Sequence, residues 1–512
     1  MNRKSSTFCI NKLRNYIVLI IKGFRMNMKR ITLLALATAC MVSVHAKIVL
    51  PDLVSDNMVL QQQTNARLWG KAAPKSVIEV QCSWTGRTFR TTAQQDSTWL
   101  LTVATPKASF TPQTLTFTEK TGKKVNSIKV RNVLIGEVWY AGGQSNMEMP
   151  LNGFRNCPVG DASQEIATAG EWAGKIRMAT VPKTGATTPQ EWVSGCKWKV
   201  PSPATAKNMS ATAWFYAQMM ERVLQVPVGI LTVAWGGTSV EGWTPRQILQ
   251  TYKDIDIEKV LKRGWNGRWW MHYTPLIMYN GMLHPVRHYT IRGFIWYQGE
   301  ANVGKDTYFD RMKTMIKVFR DEFGGTPASL PFYLTDIAPW AGYGPSDSAP
   351  LLRDAQHRIG REVENAGCIS INDLVEPFEA RQIHPHEKRQ VGYRLAYMAL
   401  NKTYGMKDIN TDYPEYDHCT VSNDTVRIFF KHADNGFSRM DDIKGFEVAG
   451  ADGKFYPAQA MVKENDRSIY VVSKEVAVPK QVQYGYRAFM PGNIRSTYGL
   501  PVVPFRAEIG VR

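Results

Sequence analysis

The sequence predicts an α/β protein, with a parallel sheet covered by helices on both faces and β-rich segments before and after it. Three observations predict it. Between about residues 132 and 404, short apolar runs that suit buried strands alternate with amphipathic stretches of helical length, the pattern that builds such a sheet. In 47–131 and 405–512, strand-length runs are instead separated by Gly and Pro turns, as in small antiparallel β-domains. The residues with unusual chemistry fall just after the predicted strands of the middle region, where functional groups collect in parallel sheets.

Composition bounds the reading. With 512 residues, 44% of them hydrophobic and 21% charged, the chain has room for several domains and a large core. The formal charge of +19 is not a nucleic-acid signature: eight Lys or Arg and no acid fall within residues 1–46, which leaves +11 for the rest, without long basic runs. No nucleic-acid partner is expected.

Residues 1–46 read as an export region. Lys29 and Arg30 precede an apolar run at 31–44, and Val44-His45-Ala46 puts small residues where a signal peptidase cuts. The mature chain is expected to begin at Lys47, secreted or periplasmic, with no stable membrane insertion. Met26 and Met28 stand directly before the basic pair, so 1–25 reads as an upstream extension from a mis-chosen start; its apolar 16–21 is too short to span a bilayer. The alternative is a lipoprotein box ending at Cys40, with an atypical Ala37.

In 47–131 the expected strands are 76–82, 87–92, 99–103 and 115–118, with turns at Ala73-Pro74 and Gly122; packing or glycan contact are the only roles entertained there. In 132–404 the expected strands are 133–140, 228–233, 290–296, 332–337 and 368–371, and the helices 211–224, 308–323 and 388–400. From 405 onward short strands return at 425–430, 445–448, 468–472 and 483–486, and the rigid closing segment 494–506 is expected to pack back on its neighbour. Five cysteines follow the export region, Cys82, Cys157, Cys196, Cys368 and Cys419, too widely spaced for a metal or redox pair; a Cys157–Cys196 disulfide is the single pairing entertained. No metal-binding or nucleotide-binding motif occurs, so no cofactor is expected.

Residues 136–150, GEVWYAGGQSNMEMP, hold the residue that most needs explanation. A strand ends in Gly142-Gly143 and presents Ser145 two residues later. A serine nucleophile needs a histidine as base, a carboxylate to orient it and donors for the oxyanion. Alone, Gly-Gly-x-Ser is equally an ordinary turn, and the second glycine of a G-x-S-x-G elbow is missing. The other strand ends supply the rest: Trp235-Gly236-Gly237-Thr238-Ser239 after the second, Gln298-Gly299-Glu300-Ala301-Asn302 after the third, and Ile383-His384-Pro385-His386 on the loop after the fifth.

These segments resemble the sialate O-acetylesterase family within the SGNH hydrolases. The resemblance rests on 136–150, WGGTSVEGW at 235–243, YNGMLHPV at 279–286, GFIWYQGEANVG at 293–304 and IHPHEKRQVGYRLA at 383–396, and extends to SDNMVLQQ at 55–62 and GFEVAGADGKFYPA at 445–458. It implies an SGNH-type, flavodoxin-like catalytic domain at 132–404 between β-sandwich-like domains at 47–131 and 405–512. It also implies a serine esterase acting on an O-acetylated sialic acid or other glycan, with no cofactor. Residue by residue, it implies Ser145 as nucleophile, His384 as base, an oxyanion hole drawn from the amides of Ser145 and Gly236 or Gly237 with the side chain of Gln298 or Asn302, and substrate contacts at Gln144, Trp243 and Arg246. His386 reads as a surface helix-entry residue.

The acid departs from the pattern. Three residues before His384, where SGNH enzymes carry Asp, this sequence has Arg381, so Glu300 is the first choice and Asp373 and Glu376 are alternatives. Trp243, Trp269, Trp270, Trp340, Arg246 and Arg268 are offered for contact with a sugar or its carboxylate, or as core. A deacetylase of xylan or another plant polysaccharide is the nearest alternative activity, and a non-catalytic glycan-binding surface protein the alternative of a different class.

Overall fold

The computed structural model describes residues 47–264, 266, 268 and 272–510. The expected export signal with Cys40, and the pair Trp269 and Trp270, lie outside the described residues. The organising element is a strand of 20 residues, β1 (Lys124–Gly143). Its first half alternates exposed and buried side chains and pairs antiparallel with Ser109–Thr121. From Val133 onward every residue is buried. One solvated face requires alternation, whereas a strand covered on both faces reads as a continuous apolar run. The junction expected at 131/132 therefore falls inside one strand, at an irregularity where Asn132 is left-handed (φ 55°), the register with 109–121 shifts and the burial pattern changes.

Beyond β1 come β2 (Ile176–Thr180), β3 (Val228–Ala234), β4 (Gly293–Tyr297), β5 (Phe332–Thr335) and β6 (Ala366–Ile369). All six pair in parallel, in the order β2-β3-β1-β4-β5-β6. Strand β2 was not expected, because Arg177 interrupts its apolar run; the guanidinium is buried and donates to Ile176 O at 2.9 Å. From β1 the chain passes to β2 and β3 on one side and then crosses to β4 on the other. The carboxyl end of β1 is thus the topological switch point, where open α/β sheets bind their ligands.

Five helices matter for the site: α1 (Ser145–Glu148), α2 (Ala211–Leu224), α3 (Tyr308–Glu322), α4 (Ser348–Glu362) and α5 (Arg389–Lys402). Helix α4 was not expected, since Pro350 reads as a breaker; it stands in the first turn, where its missing N–H has no intrahelical acceptor to lose. Successive β1 side chains sort the helices onto opposite faces. Trp139 meets Tyr216 of α2, with ring centroids 5.5 Å apart, while Tyr140 meets Phe319 of α3 at 5.8 Å. Helices α2 and α5 approach closely at Gly392, where a Cβ would stand 2.6 Å from Thr212 O.

The chain closes with two four-stranded antiparallel sheets, which bury Val426, Ile428, Val448, Val471 and Val482. The segment 494–506 packs back as expected: Leu500 and Val503 join the core beneath α2 and α5, and Arg495 Nε lies 2.8 Å from Asp373. Val49–Arg512 forms one compact unit. The Cys157–Cys196 disulfide is not formed. Cys196 is buried with its thiol toward Val193 O, and burial pushes that thiol up to about 12, whereas the Cys157 sulfur faces His384.

Gly143 explains the glycine pair at the end of β1. Its φ is 138°, and a Cβ there would stand 2.1 Å from Tyr297 O, the atom that accepts the Gln144 N–H at 2.9 Å. Gly143→Ala is expected to destabilise the protein by roughly 2 kcal/mol or more, through overpacking and a left-handed conformation. Gly174→Ala, at a glycine with open space around it, is expected to shift stability by less than about 0.5 kcal/mol. Urea denaturation of the two variants measures the difference.

Candidate active site

Four strand exits converge at the carboxyl end of β1. Ser145 opens the one-turn helix α1 directly after Gly143 and Gln144. Helix α2 braces that turn from behind: its N-cap Ser210 donates to Met147 O at 2.6 Å while capping Ala213 N, and Thr212 Oγ1 donates to Asn146 O at 3.2 Å. From β3, Gly236 comes so close that a Cβ on it would lie 3.1 Å from Ser145 Cβ. The exits of β4 and β6 are tied in by Asn146.

Asn146 is fully buried. Its Nδ2 donates to Glu300 Oε1 at 2.7 Å and to Ile383 O at 3.1 Å, and its Oδ1 accepts from Lys388 Nζ at 2.8 Å. The neighbour of Ser145 therefore holds the neighbour of His384, the loop carboxylate after β4 and the lysine that leads into α5. Ser145 and His384 share the crevice through these neighbours; no direct hydrogen bond joins them in this arrangement. Burial raises the Glu300 carboxyl above its ordinary range and lowers Lys388 to about 8, so both are pushed toward their neutral forms.

The acid expected behind His384 is not there. Glu300 bonds to Asn146, and its Oε2 has no partner. Asp373 is held by both guanidinium nitrogens of Arg394 at 2.7 Å and by Arg495 at 2.8 Å. Glu376 is exposed and makes a reciprocal turn with Glu379. Among the described residues no carboxylate pairs with the His384 ring. Its Nδ1 instead faces Cys157 Sγ at 3.6 Å, and Phe154 meets the ring edge-on. Burial first, and then the charge of Lys388, lower His384 to about 4, so it is neutral at neutral pH. The carboxylate-paired histidine of this loop is His386, whose Nδ1 lies 2.9 Å from Glu379 Oε1.

The expected oxyanion donors are largely engaged elsewhere. Gly236 N donates to Glu148 Oε2 at 2.7 Å, and Glu148 Oε1 accepts from Lys183 Nζ at 2.8 Å. Gln298 is fully buried and directs its Nε2 to Asn302 Oδ1 at 2.7 Å and Thr238 O at 3.2 Å. Asn302 Nδ2 donates to Glu241 Oε2 at 3.1 Å. The amides of Ser145 and Gly237 have no hydrogen-bond acceptor among the described residues. They are unengaged backbone donors of the kind that can stabilise a developing negative charge.

Of the three expected substrate contacts, two serve the scaffold and one pairs on the surface. Gln144 is buried, with Oε1 3.3 Å from Gly299 N and 3.4 Å from Ala301 N, so it supports the β4 exit. Trp243 is fully buried, donates to Thr238 Oγ1 at 3.0 Å and meets Trp296 edge-on. Arg246 pairs on the surface with Glu258 at 2.7 Å. Trp340 packs edge-on to Tyr343, and Arg268 is exposed. Beside Asn302 lies a cavity of about 280 Å³ whose lining includes Ser239, Glu241, Tyr273, Lys305 and Arg311.

Asn146, Lys388, Glu148 and Lys183 were missed from the sequence. Asn146 and Glu148 lie inside the serine motif and Lys388 inside the histidine motif, so their positions were visible although their partners were not. Asn146→Ala is expected to cost roughly 3–5 kcal/mol, because it strands Glu300 and Lys388 without their shared partner. Asn152→Ala, at an exposed position, is the control in the same thermal and urea melts.

The chain is similar to known carbohydrate esterases in sequence and in fold. The sequence profile of the carbohydrate esterase, sialic acid-specific acetylesterase family matches residues 136–401, just over half of the chain. Human sialate O-acetylesterase is 25% identical over 394 residues, covering 70% of this chain and 72% of its own; the mouse sialate O-acetylesterase is 24% identical over 519 residues, covering 90% and 94%. The crystal structure of a carbohydrate acetylesterase from Xanthomonas citri superposes with a TM-score of 0.77 at 29% identity, covering 90% of this chain and 99% of that one. With its parallel sheet, its serine at the switch point and its matched motifs, the chain belongs to the sialic acid-specific acetylesterase family of carbohydrate esterases and is a carboxylic ester hydrolase.

Proposed function

We propose that the protein removes O-acetyl groups from sialic acids through an acetyl-enzyme on Ser145. The observation that carries this reading is the convergence of Ser145, two unengaged amides and a neutral His384 at the switch point of a chain in this family. Ser145 Oγ attacks the acetyl carbonyl while His384 Nε2 takes its proton. The amides of Ser145 and Gly237 face the oxyanion, each such donor contributing about 2.7–4 kcal/mol in comparable sites. Collapse breaks the bond to the sugar oxygen, which leaves with the proton from His384. Water then attacks the acetyl group and gives a proton to His384, which passes it to Ser145 Oγ as the Oγ–acetyl bond breaks; the acetic acid released ionises to acetate in solvent.

The sugar is placed in the cavity beside Asn302. Lys305 on its rim offers a cation to the sialic acid carboxylate, a feature that a neutral xylan chain would not use. The SGNH-type sheet of 132–404 carries the chemistry, and the β-rich regions at 47–131 and 405–512 frame it. The basic and apolar pattern of residues 29–46 supports export, and no helix among the described residues is long and apolar enough to cross a membrane.

Acetate release from O-acetylated sialic acids, acetylated xylan and an aryl acetate tests the reading. Ser145→Ala is expected to lose at least about 10⁴-fold in kcat/KM on every substrate, and His384→Ala to fall comparably while His386→Ala stays active. Lys305→Ala is expected to raise KM for the sialate ester alone; an equal effect on the aryl acetate contradicts the carboxylate contact. The base works unprotonated, and His384 is held near 4. The acid limb of kcat/KM is therefore expected near pH 4, with activity intact at pH 5.5, where an unperturbed imidazole of pKa about 6.5 would be mostly protonated.

A further inference from the structure

Cys157 has no part in the chemistry described so far, yet it occupies the position opposite His384 Nδ1. It closes a tight turn with Phe154, each backbone N–H donating to the other's carbonyl at 3.0 Å, and Phe154 in turn packs its ring against His384. Cys157 Sγ lies 3.6 Å from His384 Nδ1, 3.3 Å from Gln382 Oε1 and 3.4 Å from Arg155 O. Gln382 has its amide orientation set: Nε2 donates to Asn156 O at 3.1 Å, so Oε1 is the atom turned inward, and it also accepts the His384 backbone N–H at 3.1 Å.

One assignment of these contacts suits a general base. Gln382 Oε1 and Arg155 O are acceptors only, and a thiol proton directed to either of them uses the single S–H. The sulfur lone pairs are then left for Nδ1–H of the imidazole. A neutral imidazole with its proton on Nδ1 has its lone pair on Nε2, the tautomer a general base must have.

We propose that Cys157, supported by Gln382, is the positioning residue that sets the tautomer and orientation of His384 in place of a carboxylate. The proposal rests on the esterase reading above. A thiol accepts the Nδ1 proton but carries no full charge, so it orients the ring without stabilising imidazolium as a carboxylate would. Lys388 is the charged group that acts on the ring. Glu300 and Glu379 stand beyond it, bonded to Asn146 and to His386 respectively.

Three substitutions at Cys157 test this, assayed for kcat, KM and the pH profile of kcat/KM on an aryl acetate. Cys157→Ala removes the acceptor and is expected to lower kcat about tenfold or more with KM little changed, within the range of a misplaced general base. Cys157→Ser keeps an acceptor that is also a donor and is expected to recover most of that loss. Cys157→Asp puts a carboxylate on Nδ1 and is expected to move the acid limb up by about one pH unit or more. An Ala variant with wild-type kcat, an Asp variant with an unmoved acid limb, or an equal fall in all three with a lowered Tm overturns the proposal. Ser145→Ala run alongside separates the two readings. If acetate release depends on Ser145 but is indifferent to Cys157, only this proposal fails; if it does not depend on Ser145, the esterase mechanism fails and takes this proposal with it.

Discussion

The side-chain amide of Asn146 is the interaction on which the rest of the site depends. It is one amide, fully buried, with every polar atom engaged. Glu300 arrives on the loop after β4, Ile383 and Lys388 on the loop after β6, and Asn146 on the turn after β1. A buried carboxyl and a buried lysine would each be costly alone, and the amide gives each of them a hydrogen-bond partner. The crevice is thereby fixed from the interior outward, and Ser145 and His384 inherit their places as the neighbours of residues that cannot move independently.

This arrangement has a consequence for the base. In a serine hydrolase with a buried aspartate, the carboxylate both orients the imidazole and stabilises its protonated form. In the mechanism proposed here orientation and charge are separated. Lys388, held by the same amide, opposes protonation of His384, and burial does so more strongly. Such a histidine stays unprotonated in mildly acidic surroundings but is a weaker base, so in the proposed mechanism the amides of Ser145 and Gly237 carry more of the transition-state stabilisation. The neighbouring Gly236 amide is held by Glu148, itself paired with Lys183, which keeps the glycine loop closed against the nucleophile turn.

The sequence made the strand ends legible because their signals are local. Gly142-Gly143 before Ser145, the glycine pair at 236–237 and the QGE segment each follow an apolar run, and each stands in the structure at the end of a parallel strand. Continuity of β1 across 131/132 was not legible, since a change in burial along one strand looks like a domain boundary in one dimension. Strand β2 and helix α4 were hidden by single residues, Arg177 and Pro350, whose effects are neutralised by a carbonyl partner and by position in the first turn. The site's partnerships were hidden for another reason. Cys157 and His384 are 227 residues apart, and Asn146 and Lys388 are 242 apart; neither composition nor spacing reports that such pairs meet. Gln144 and Trp243 were misread because a polar or aromatic residue beside a functional loop looks the same in sequence whether it faces the crevice or the core.

The most direct measurement of the central claim is peptide mass spectrometry of enzyme quenched with acid during turnover of an aryl acetate. The account predicts one acetyl group on the peptide that contains Ser145, absent from Ser145→Ala. An acetyl group on Cys157, or steady turnover with the Ser145 peptide unlabelled under conditions that make deacetylation slow, would contradict it.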